Sequence, residues 1–78
     1  MNRNRRKEIS KIIEDLKSLD MRITKIMEEE SDARYNLPSF LRRSEQYEKS
    51  LLSSNRLFES SFNVNLAIEY LKMSEGDK

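Results

Sequence analysis

Helix-breaking residues are almost missing from this chain: its 78 positions hold one proline, Pro38, and one glycine, Gly76. A backbone that reverses direction needs turn chemistry, and these two residue types are its strongest sources. With Pro38 near the middle and Gly76 near the end, one corner is available. Apolar residues make up 36% and charged residues 37%, a balance that suits solvated helices better than an α/β core. The expected fold is all-α and one domain over residues 1–78. It is an antiparallel, coiled-coil-like two-helix hairpin, completed as a four-helix bundle by dimerisation. Helix one is expected over about residues 4–32, the turn over 33–43, helix two over 44–73, and a short polar tail over 74–78.

The composition also bounds the chemistry. There is no cysteine, so disulfides, thiolate metal ligands and thiol nucleophiles are excluded. There is no histidine, which removes the commonest general base and metal ligand. No Gly-rich phosphate loop and no nucleophile–base pair occur. Glu28, Glu29, Glu30 and Asp32 form an acidic block, but adjacent helical residues point in different directions and do not converge on one ion. The expectation is a protein that is not an enzyme and carries no cofactor or metal. The basic start is not followed by an apolar run, so neither a signal peptide nor a membrane span is expected, and a cytoplasmic location follows.

In the first half, Ile9, Ile12, Ile13, Leu16, Leu19, Ile23, Ile26 and Met27 recur in steps of three and four. Ile9, Leu16 and Ile23 occupy one heptad position, and Ile12, Leu19 and Ile26 a second, giving a seam of about three heptads. Asn36-Leu37-Pro38 interrupts the pattern, because a residue before proline avoids the helical region. Ser39 or Ser44 is available to cap the next helix, and Glu45 and Glu48 suit its first turn. In the second half one stripe runs Ser53, Ser54, Leu57, Ser60, Ser61, Val64, Ala67, Ile68, Leu71. Folded at about residue 40, the pairs Ile9–Leu71, Ile12–Ile68, Ile13–Ala67, Leu16–Val64 and Ile23–Leu57 face one another. The same fold brings the basic start near Glu69, Glu75 and Asp77, and the acidic block near Arg42 and Arg43. Exposed pairs of this kind choose register more than they stabilise.

A second stripe on helix two is left over: Leu51, Phe58, Phe62, Leu66, Tyr70 and Met73, with Tyr47 and Leu52 beside it. It is expected roughly opposite the first stripe, where a two-helix hairpin cannot cover it. One reading buries it by self-association into a homodimer. The other makes Leu51, Phe58, Phe62, Leu66 and Tyr70 a binding face for another protein, with the aromatics as anchors. A third rotates helix two so that Leu51, Phe58 and Phe62 turn inward. The inward serines 53, 54, 60 and 61 suggest a tolerant seam, not a catalytic serine, because no base accompanies them. From another class comes nucleic-acid binding by a flexible arm of Arg3, Arg5, Arg6 and Lys7. The arm is short, lacks stacking aromatics and sits in a chain of net charge +1, so protein binding is the favoured reading.

The opening Asn-Arg-Asn-Arg-Arg-Lys-Glu-Ile-Ser-Lys-Ile-Ile-Glu resembles the start of small helical proteins encoded by phages and prophages of Gram-positive bacteria. Asn36-Leu37-Pro38, Ser44-Glu45 and Glu48-Lys49 resemble their centre, and Leu57, Val64, Ala67, Ile68 and Leu71 their second helix. That group carries no assigned activity. The resemblance implies an accessory protein that works by occupying a host protein, including those of defence systems. The chain departs from the group where relatives carry Glu, Asp or Asn: here stand Leu51, Phe58, Phe62 and Leu66. At 53, 54, 60 and 61 it has Ser where relatives carry Ala or Ile. Apolar weight has moved from the inside of helix two to its outside.

Overall fold

The computed structural model describes residues 2–76. Two long helices, α1 (Arg3–Tyr35) and α2 (Glu45–Gly76), lie antiparallel along a rod whose Cα extents are 59 × 14 × 14 Å. A single 3₁₀ turn, Ser39–Leu41, sits between them. The all-α hairpin is therefore as expected, with both helices longer than the sequence suggested. Ala33, Arg34 and Tyr35 continue α1, because nothing before Asn36-Leu37-Pro38 breaks a helix. Ser74 and Glu75 continue α2 past Met73 for the same reason.

The helix ends show why one proline suffices for the corner. Asn2 caps α1, its Oδ1 accepting from the Arg5 amide at 2.9 Å. At the other end the Asn36 amide closes on Asp32 O at 3.0 Å, and Leu37 on Arg34 O at 3.1 Å. Pro38 prevents continuation, and Leu41 N bonds Pro38 O at 2.9 Å to start the 3₁₀ turn. Ser44, not Ser39, caps α2: its hydroxyl donates to Leu41 O at 2.6 Å and accepts from the Tyr47 amide at 3.2 Å. No described residue has positive φ, so the connection requires no glycine.

The register is set by polar bonds across the seam. Ser50 Oγ donates to Glu30 Oε1 at 2.6 Å, and Ser61 Oγ to Asp20 Oδ1 at 2.5 Å. These partners' numbers total 80 and 81, which supports the fold point near residue 40. The rotational phase of α1 differs from expectation. Ile9, Leu16 and Ile23 line the seam, but their companions are Ile13, Asp20, Met27 and Arg34. Ile12, Leu19 and Ile26 stand on the flank, 39%, 45% and 50% exposed. Ile13 and Ile68, at the same level, are each 4% exposed and form the fully buried core. The expected Ile12–Ile68 and Ile13–Ala67 pairs are therefore displaced by one residue. The apolar pattern allowed either row. The observed one offers Asp20 and Arg34 to the serines of α2 and shields the two β-branched side chains together.

The seam changes character along the rod. Near the open end it is aliphatic, through Ile9, Ile13, Leu16, Val64, Ile68 and Leu71. Toward the connection it becomes polar. Asn65 Nδ2 joins the Asp20–Ser61 layer, donating to Asp20 Oδ2 at 3.1 Å. Arg34 Nη1 donates to Ser50 O and Ser50 Oγ at 3.1 Å and to Ser54 Oγ at 2.5 Å. Ser54 and Ser61 thus hold charged partners in the seam, whereas Ser53 and Ser60 are exposed on the flank, which corrects the reading of all four as inward. Ser60 bonds back to Arg56 O at 2.9 Å. Removing the guanidinium should loosen this end. Arg34→Ala is expected to cost about 1–3 kcal/mol, and hydrogen exchange should accelerate at residues 45–54 and not near Ile68.

Three exposed ion pairs among the described residues are local to one helix. Lys17–Glu14, Lys49–Glu45 and Lys72–Glu69 are each three or four residues apart within one helix. Glu69 therefore pairs with Lys72, while Glu75 accepts from the Ser10 hydroxyl across the seam. Asp77 lies outside the described residues. Among the described residues, no helix is long and apolar enough to cross a membrane.

A candidate protein-binding face on the second helix

Most of the large apolar side chains left in water lie either on a flank of α1 or in a band on α2. Two grooves beside the seam establish the division. Ala33 lines one groove with Gln46 and Ser53. Ala33 continues the Ile12–Leu19–Ile26 row at intervals of seven, and Ser53 leads at the same interval through Ser60 and Ala67 to Ser74. Leu51 lines the other groove, with Ser31, Tyr35 and Tyr47. Phe58 follows Leu51 by seven and shares its side. The flank of α1 and the start of the α2 stripe therefore face opposite ways.

From Phe58 the stripe does not run straight. Phe58, Phe62, Leu66 and Tyr70 follow one another in steps of four, and each step overshoots a full turn by about 40°. The band winds about 120° around α2 before Met73, starting on the flank and crossing the back of the helix. From Phe62 to Tyr70 it lies roughly opposite the seam, as the sequence suggested, while at Phe58 it reaches the flank. Leu51 is half-buried, while Phe58, Phe62, Leu66 and Tyr70 are exposed, with Phe58 at 58% and Phe62 at 53%. The alternative rotation, with these three turned inward, is not adopted. The band from Leu51 to Tyr70 spans about 28 Å on a single uninterrupted helix.

Sequence reasoning missed part of this surface. Tyr35 and Phe40, at the connection, are among the most exposed aromatics, and Tyr35 extends the band beyond Leu51 beside Tyr47, which the sequence had already placed next to the stripe. Their sequence signal was poor, because Tyr35 follows the last apolar repeat of α1 and Phe40 sits in the turn. Met21 is also exposed on the outer surface of α1. The α1 flank was hidden by a different error: Ile12, Leu19 and Ile26 were assigned to the seam.

The basic residues are not a flexible arm. Arg3, Arg5, Arg6 and Lys7 form the first turns of α1, capped by Asn2, and all four are exposed. Arg3, Arg6 and Lys7 share one side by their spacing, and Arg5 points elsewhere. Within the acidic block, Glu30 turns into the seam while Glu28 and Glu29 remain exposed. No family model, curated protein or solved structure matches the chain.

Proposed function

We propose that this chain is a non-catalytic protein-interaction hairpin that binds another protein through the winding band on α2. Leu51, Phe58, Phe62, Leu66 and Tyr70 make the contact, with Tyr35 and Tyr47 extending it. The observation that carries this reading is a run of large side chains, three of them aromatic, held exposed on a rigid helix. Exposed apolar surface of this extent marks interaction sites. Aromatic anchors on a preformed helix lose little conformational entropy on docking. The winding path suits a partner that crosses α2 at an angle, as ridges packed four residues apart do.

The resemblance to small phage and prophage proteins makes a bacterial host protein, including one of a defence system, the proposed target. The hairpin acts by occupying and inhibiting or modulating that target, in the cytoplasm of the host. A photo-crosslinking residue at position 62 tests this in host extract. It should yield one discrete adduct, absent when the same residue stands at position 14 on the outer surface of α1. Equal labelling from both positions, or none from position 62, refutes the binding face. Deletion of residues 1–7 should leave the adduct intact, with no retention on DNA or RNA before or after. Loss of nucleic-acid retention on deletion would move the function to the basic first turns.

A further inference from the structure

The α1 flank is a second interface, and we infer that its occupant is a second copy of this chain, bound in parallel about a two-fold axis that runs along the helices. This inference stands apart from the partner site on α2, which lies on other sides of the hairpin from Leu51 to Leu66 and approaches the rim of this one at Tyr70, seven residues after Asn63. Such an axis places α1 of one copy on α2 of the other, so that all neighbouring helices in the four-helix bundle are antiparallel.

Three observations select this occupant. First, the two rows bordering this side are complementary in size, level by level. Ile12 lies level with Ala67, Leu19 with Ser60 and Ile26 with Ser53, to within about 3 Å along the axis. Where the α2 row becomes large, at Gln46, the α1 row becomes small, at Ala33. In the parallel dimer each large residue of one copy meets a small residue of the other. In an antiparallel dimer the isoleucine row would meet itself and the serine row would meet itself, leaving a void. Second, the flank is continuous with the intramolecular seam, since Ile12, Leu19 and Ile26 adjoin Ile9, Leu16 and Ile23 on the same helix. The apolar face of α1 is wider than one partner helix can cover, as bundle helices require. Third, the α2 row from Gln46 to Ser74 runs about 42 Å along a rod 14 Å wide between Cα atoms, a footprint of about 600 Å² per copy, at the lower end of standard stable interfaces.

The rim is mixed in charge. Glu29 of one copy lies level with Lys49 of the other, and Asp15 with Asn63. Arg22 and Arg56 form a like-charged pair at the exposed edge, where salt screens it. The aromatic bands end up on opposite outer faces of the bundle, so the dimer presents two separate partner sites.

Sedimentation equilibrium of the full chain across micromolar concentrations should show a dimer. Leu19→Lys and Ser60→Arg should each weaken it by about 100-fold or more with helical ellipticity retained. Ser60 is exposed in the hairpin, so its variant tests the interface without disturbing the fold. Phe58→Glu with Phe62→Glu should leave the dimer intact. A monomer at all concentrations, or a dimer dissolved only by the Phe58 and Phe62 substitutions, overturns the inference. Because the chain has no cysteine, orientation can be read by disulfides. Chains carrying Leu19→Cys mixed with chains carrying Ser60→Cys should cross-link one to the other. Leu19→Cys chains that instead join to themselves would establish the antiparallel dimer and overturn the parallel axis.

Discussion

The Phe58→Glu, Phe62→Glu double variant should keep the wild-type helical content and lose partner binding by about 1000-fold or more. Both rings are more than half exposed, so exchanging them removes little that holds the hairpin together. Glutamate also has a good helix propensity, and neither position is in a terminal turn. In a complex, the same positions would lie at the centre of a desolvated patch, where an unpaired carboxylate is strongly disfavoured. Two aromatic anchors at roughly 2 kcal/mol or more each set the magnitude. Titration calorimetry against the crosslinked target measures it. Unchanged affinity with intact helicity would place the binding face elsewhere. Loss of helicity would mean that the two rings support the fold, contrary to their exposure.

The opposite behaviour is expected nearly two turns further along α2, at the seam. Ile68→Ala should lower stability by about 3 kcal/mol, which in a domain of this size moves the melting midpoint by about 15 °C or more. Ile68 and Ile13 are the buried core, and a hairpin with so little buried surface has no reserve to absorb a cavity. Ser61→Ala, on the same row of α2, should cost about 1 kcal/mol, since it removes one hydrogen bond in a half-exposed layer. Melts followed by circular dichroism must be compared at equal protein concentration, because association adds apparent stability. Equal effects from the two substitutions would contradict an isoleucine-centred core.

Much of the fold could be read from the chain because few alternatives were open to it. One proline, no internal glycine and three-four periodicity leave little besides two helices. The fold point emerged from Leu16 and Val64, and from Ile23 and Leu57, whose spacing survives any small rotation of α1. The rotation itself was not legible. Ile12 and Ile13 are adjacent and both apolar, as are Ile26 and Met27, so hydrophobicity cannot say which row faces α2. The choice lies with polar pairs of high sequence separation. Asp20 with Ser61, and Arg34 with Ser50 and Ser54, look like ordinary surface residues until the helices are brought together. The α2 band was legible in the sequence as a stripe roughly opposite the seam, but its winding was not. Steps of four accumulate a drift that a flat stripe ignores. The serines were misread for a related reason, since Ser53 and Ser54 are neighbours in sequence yet only Ser54 reaches the seam.

The gradient along the seam, aliphatic at the open end and polar toward the connection, has a mechanical consequence. A force that pulls the two ends of the chain apart acts first on Ile9, Ile13, Ile68 and Leu71, the most tightly shielded part of the hairpin. The exposed Ser10–Glu75 hydrogen bond gives way just ahead of it. Once that clasp lets go, the serine-lined remainder bears the whole load and should peel open at lower tension. A stretching trace should therefore show one early force peak and no second, and a proteolytic motor that grips either terminus meets its greatest resistance on the first stroke.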